Sequence, residues 1–103
     1  MNNIEMICVQ LITAVGSARS CYIEAIRKAR KGEMEDAQAL MEEGRTLFND
    51  GHKAHADLLS LDADNQLDRI PLLLLHAEDQ LMSAENFGIL AEEFIETYKS
   101  LNR

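Results

Sequence analysis

The sequence predicts an all-α fold, an antiparallel bundle of three long helices, and three observations lead there. Apolar residues recur at three- and four-residue steps over most of the chain. One proline and five glycines make a helix-friendly balance. Aromatic residues make up 5% of the chain and β-branched ones are sparse, which leaves little material for a sheet. With 103 residues, 47% of them hydrophobic, residues 1–103 are expected to form a single domain around one core.

The first helix is read from Ile4, Cys8, Leu11, Val15, Ala18, Tyr22, Ala25 and Ala29, an amphipathic stripe about eight turns long. Gly32 ends it. A second helix begins near Met34, where Glu33, Glu35 and Asp36 suit a helix N-terminus. It continues through Ala37, Leu40, Met41, Leu47, Phe48, Leu58 and Leu59. Gly44 and Gly51 fall on one side of it, and each costs about 1 kcal/mol of helix propensity relative to alanine. Close approach of a neighbouring helix is the reading that explains both. Residues 61–70, LDADNQLDRI, lose the period and turn acidic, which predicts a mobile loop. Asp68 is placed to cap a third helix, with Pro71 in its first turn, and that helix is expected to reach Leu101.

The formal charge of −8 excludes several functions. A nucleic-acid binder needs a cationic face, and the longest basic run is RKARK at 27–31. Docking on an anionic membrane is equally disfavoured, whereas a partner with a basic surface would be steered in. Cys8 and Cys21 lie on one predicted helix, about 20 Å apart at its rise per residue, and cannot pair. Two free, buried thiols fit a reducing cytosol. The N-terminal MNNIEMICVQLITAVG lacks a basic leader region and is interrupted by Asn, Glu and Gln, so it reads as neither a secretory signal nor a membrane span. No CxxC, HExxH or glycine-rich phosphate loop occurs, and none of the three histidines follows a glutamate by three residues as a di-iron bundle requires. His52 and His55 read as polar groups at a packed helix edge, with a shared metal site as the alternative.

The third helix carries two stripes. Leu74, Ala77, Leu81, Ala84, Gly88, Ala91 and Ile95 form one, suited to packing on the first two helices. The other holds Leu72, His76, Asp79, Gln80, Ser83, Phe87, Leu90 and Phe94, apolar at both ends and polar in the middle. A three-helix monomer needs one buried stripe per helix, so the second predicts an oligomer. His76 and Asp79 then lie in or beside a subunit interface. Spacing alone leaves two roles open: an interface histidine held by a carboxylate one turn away, or a nucleophile. Neutral imidazole has a free lone pair at neutral pH, and a phosphoryl group on it would find donors in Gln80 and Ser83. No cation stands beside His76 in this reading.

Three segments then resemble one family. They are GSARSCYIEAIRKARKGEMEDAQALM at 16–41, the GHKAHADLLSLDA region at 51–63, and LLLLHAEDQLMSA at 72–84. In order and spacing they are similar to the IIA component of the lactose/cellobiose (N,N'-diacetylchitobiose) class of the bacterial sugar phosphotransferase system. Its members typically read LLVHAQDHLM in the last segment. The resemblance implies a cytoplasmic homotrimer of three-helix protomers, in which His76 takes phosphate from the histidine-containing phosphocarrier protein and passes it to a cysteine of the IIB component. It further implies that Asp79 lies on the threefold axis, where three copies hold Mg2+ or a similar divalent ion. Three like charges brought together need such neutralisation, and a hard cation takes oxygen ligands. Gln80 stands where the family usually has a second histidine, and Glu78 and His55 where glutamine is common. The competing expectation is a non-enzymatic helical interaction or regulatory module, with His76 and Asp79 purely structural.

Overall fold

The computed structural model describes residues 2–64, 67 and 70–101. It contains α1 (Asn3–Arg30), α2 (Met34–Ala63) and α3 (Leu72–Leu101), and no strand among the described residues. Asn2 opens α1 reciprocally: its side-chain oxygen accepts the Glu5 backbone N–H at 2.8 Å, and its amide donates to the Glu5 carboxylate at 3.0 Å. At the other end Gly32 adopts φ 82°, the left-handed conformation that costs other residues most. There the Glu33 N–H reaches the Lys28 carbonyl at 2.9 Å and the Gly32 N–H reaches Ala29 at 3.0 Å. These two bonds close the helix and reverse the chain within three residues.

Two layers of core run along the bundle. Cys8, Leu11 and Val15 of α1 pack with Ala54 and Leu58 of α2 and with Leu74, Ala77 and Leu81 of α3. Tyr22, Ala25 and Ala29 pack with Ala37 and Met41 of α2 and with Ala91 and Ile95 of α3. The N-terminal half of α1 therefore faces the N-terminal half of α3, and α2 runs antiparallel to both. By length and composition alone α1 could cross a bilayer. In this fold its apolar stripe lies against both other helices, and Leu11, Val15, Ala18, Ala25 and Ala29 are completely buried.

Close approach does explain the glycines. A Cβ on Gly51 would stand 2.5 Å from Val15 Cγ1, and one on Gly44 would stand 2.6 Å from the Tyr22 ring. α2 and α3 touch each other far less than either touches α1. Polar links join them: His55 Nε2 to Glu78 Oε1 at 2.7 Å and Arg45 to Glu92 at 2.5 Å.

Several expectations need correction. α2 does not stop before residue 61 but continues to Ala63, because Leu61 still packs on the first core layer and holds the polar end helical. Leu59 points outward. Pro71 precedes α3 rather than lying in it, and its carbonyl accepts the Leu74 N–H at 3.1 Å. Cys8 is buried as expected, but Cys21 is only half-buried at the stripe's edge. The proposed cap, Asp68, lies outside the described residues.

The buried acids give a pH prediction. Burial pushes the Cys8 thiol up, with Glu78 and Glu5 adding to it, and burial with Glu43 does the same for Cys21. Burial also raises the Tyr22 phenol, against the opposing pull of Arg45. A raised acid stays protonated in the folded state while the unfolded chain ionises first. Its stabilising contribution is thus complete below the ordinary thiol value of 9.0 and is lost as pH rises through the folded value. Denaturant midpoints should hold steady from neutrality to mildly alkaline pH and fall beyond about pH 9, and Cys8→Ala should flatten that fall.

Candidate functional site

Burial of Leu74, Ala77, Leu81 and Ala84 fixes the rotation of α3 about its axis. At 100° per residue that rotation turns Leu72, His76, Asp79, Leu90 and Phe94 outward. All five are exposed, Leu72 at 81% and Leu90 at 54%, and Phe87 beside them is 37% exposed. These residues of the second stripe are therefore left uncovered by the chain's own helices.

His76 sits on this face between two different flanks. On one side Gln80 and Ser83 are half-buried against α1. There Arg19, itself half-buried, donates from Nη1 to Gln80 Oε1 at 2.7 Å and lies 3.5 Å from Ser83 Oγ, a weak contact. On the other side, about 60° round the helix, Asp79 projects among the exposed apolar residues. The structure thus brings Gln80 and Ser83 together through Arg19 and leaves Asp79 outside that cluster.

The Arg19 contact settles the orientation of the Gln80 amide. Guanidinium only donates, so the carboxamide oxygen faces Arg19 and the NH2 group is left free to donate elsewhere. Gln80 is one turn beyond His76, and helical side chains lean toward the N-terminus, which tips Gln80 back over the imidazole's turn.

Arg19 is the residue that reading along α3 missed. It comes from another helix, and the available signal was its place beside Ala18 and Tyr22 at the border of the α1 stripe. Its bonds go to neutral oxygens, whereas Arg27, Lys28 and Arg45 each pair with a carboxylate. Among the described residues Arg19 has no carboxylate partner.

The other two histidines are engaged. His55 pairs with Glu78, which accordingly points away from His76 toward α2, and the His52 ring meets Phe48 edge-on at 4.8 Å and 89°. Neither joins a metal-ligating group: among the described residues no three His, Cys, Asp or Glu side chains converge. His76 alone of the three has no side-chain partner among the described residues.

Comparison with known proteins agrees with the three-helix fold. The family model for the PTS system, lactose/cellobiose specific IIA subunit, matches residues 6–99. The oligo-beta-mannoside-specific EIIA component of Bacillus subtilis (strain 168) is 33% identical, over 95% of this chain and 89% of that protein. The crystal structure of the cellobiose-specific enzyme IIA from Bacillus anthracis superposes with a TM-score of 0.94 at 37% identity, covering 99% of this chain and 94% of that one. IIA(chitobiose) of the Escherichia coli phosphotransferase system, solved in complex with HPr, gives a TM-score of 0.85 at 29% identity, with both chains fully covered. Helix order, the His-Ala-Glu-Asp run at 76–79 and these similarities lead to one conclusion: the chain belongs to the lactose/cellobiose-specific IIA family of the sugar phosphotransferase system.

Proposed function

We propose that residues 1–103 form one IIA domain that works as a phosphocarrier, in which His76 accepts a phosphoryl group from HPr and passes it to a cysteine of the IIB component. The observation that carries this reading is the exposed His76 imidazole, without a side-chain partner among the described residues, beside a half-buried cluster of donors in Arg19, Gln80 and Ser83. The HPr complex of the chitobiose relative supports the choice of donor. The net charge of −8 suits a basic partner surface.

The first step exchanges one N–P bond for another, and the second exchanges an N–P bond for an S–P bond. An unprotonated ring nitrogen of His76 offers its lone pair to phosphorus in line with the donor's phosphoimidazole, whose nitrogen keeps the electron pair as its own N–P bond breaks. The second step runs the same way, with a IIB thiolate attacking phosphorus and the His76 nitrogen leaving. Donors at the rim stabilise the phosphoryl oxygens, on which the negative charge is spread. Radiolabelled phosphate loaded onto the protein should move to a IIB partner and should not move to a IIB variant lacking its cysteine. Labelled protein that keeps its phosphate before every IIB of the system would contradict a carrier role.

The same reading makes the protein a cytoplasmic homotrimer, whose second copies cover the Leu72, Leu90 and Phe94 face. Within one chain Asp79 offers a single exposed carboxylate, so a divalent ion such as Mg2+ would take its ligands from three copies. Oxygen donors of this kind fit a hard cation. The ion would neutralise the three carboxylates, and no step of the transfer passes through it. Asp79→Leu should abolish divalent-ion binding and leave a trimer, because an apolar axis also removes the like-charge repulsion. Light scattering together with metal content checks this, and loss of all folded protein contradicts the assigned role.

A further inference from the structure

Arg19 reaches the site from α1, and its charge is unanswered there: it is half-buried, and both oxygens it meets are neutral. In a chain of net charge −8, an arginine with no carboxylate partner among the described residues is a preformed seat for an anion. We infer that Arg19 is a positioning residue for phosphoryl transfer at His76, an inference that rests on the phosphocarrier reading. It acts in two ways. It holds the Gln80 oxygen, so that the amide NH2 is kept as a donor above the imidazole's turn. It also places a positive charge beside that turn.

The demand for both is set by the group transferred. A phosphoryl group brings about two negative charges and three acceptor oxygens to a neutral imidazole. Gln80 and Ser83 can donate but carry no charge. Arg19 presents five N–H donors in a planar fork, and only the Nη1 end is engaged with Gln80 and Ser83.

The test is the rate of phosphoryl transfer from phosphorylated HPr to the intact protein by rapid quench, for wild type, Arg19→Gln and Arg19→Lys. Arg19→Gln should transfer about ten- to a hundredfold more slowly, with melting temperature and oligomeric state unchanged. Arg19→Lys should recover part of the rate, since it restores the charge without the fork. In wild type, the Arg19 Nε–H resonance should shift when His76 is phosphorylated, a readout that needs no substitution and decides the matter if Arg19→Gln does not fold. Transfer by Arg19→Gln at the wild-type rate, or an Arg19 resonance indifferent to phosphorylation, overturns the inference while leaving the phosphocarrier reading standing. Wild type that takes up no phosphate, beside a IIA protein that does, removes the parent reading and this one together.

Discussion

His76→Ala should take up no phosphate from HPr while folding as the wild type does. The side chain is exposed and, among the described residues, without a side-chain hydrogen bond, so its removal strands no buried partner. A stability change within about 0.5 kcal/mol is expected for the single chain, in which this position lies on the surface. The expected chemical effect is of another order, because the nitrogen proposed to form the N–P bond is gone and no neighbour replaces it. Asp79, Gln80 and Ser83 are not nucleophiles of comparable strength at neutral pH. His52→Ala and His55→Ala should still be phosphorylated, since one ring packs on Phe48 and the other is held by Glu78. Intact mass before and after incubation, with circular dichroism on the same samples, separates loss of chemistry from loss of fold.

Tyr22→Ala should be the most destabilising single truncation in the second core layer. The ring is 4% exposed and lies between two glycines on different helices. A Cβ on Gly44 would come within 2.6 Å of it from α2, and one on Gly88 within 3.0 Å from α3. Glycine has no side chain to move into the space that a lost ring leaves, so the void cannot collapse locally. The cost should lie near the upper end for a large buried aromatic, about 3–5 kcal/mol, which lowers Tm by more than about 10 °C at fixed protein concentration. Tyr22→Phe keeps the ring and should cost no more than about 1 kcal/mol. Gly44→Ala sets a helix-propensity gain of about 1 kcal/mol against overpacking of about 1–3 kcal/mol on a ring that Gly88 prevents from retreating. Net destabilisation is expected. Thermal melts of the three variants check the ordering, and a Tyr22→Ala protein as stable as wild type would show that the ring is not clamped.

The bundle was legible because each helix announces its buried face through local spacing. Cys8, Leu11, Val15, Ala18, Tyr22, Ala25 and Ala29 were all placed correctly on α1, and the small-residue stripe of α3 is buried but for the half-buried Gly88. Gly44 and Gly51 were legible as close-approach positions, though not the atoms they accommodate. The end of α2 was not, because composition turned polar at Asp62 while Leu61 still had core to reach. Tertiary packing there overrode a local signal.

At the site, the line between what could and could not be read falls between one helix and the next. His76, Asp79, Gln80 and Ser83 are neighbours by helical spacing, and α3 is helical throughout that stretch. Arg19 is 61 residues from Gln80, and their meeting depends on how α1 and α3 are registered. The His55–Glu78 pair, 23 residues apart, was hidden for the same reason. That pair occupies the two positions at which this chain departs from the glutamines common in its family, so the two departures face each other and form one contact.

Phosphorylation of His76 is tested most directly by locating the phosphate. Wild-type protein incubated with phosphoenolpyruvate, enzyme I and HPr should gain one acid-labile phosphoryl group per chain, and fragmentation at neutral or alkaline pH should place it on His76. An unmodified, folded protein, alongside a IIA relative that is phosphorylated in the same mixture, would contradict the account and leave a helical interaction module that kept the fold without the transfer.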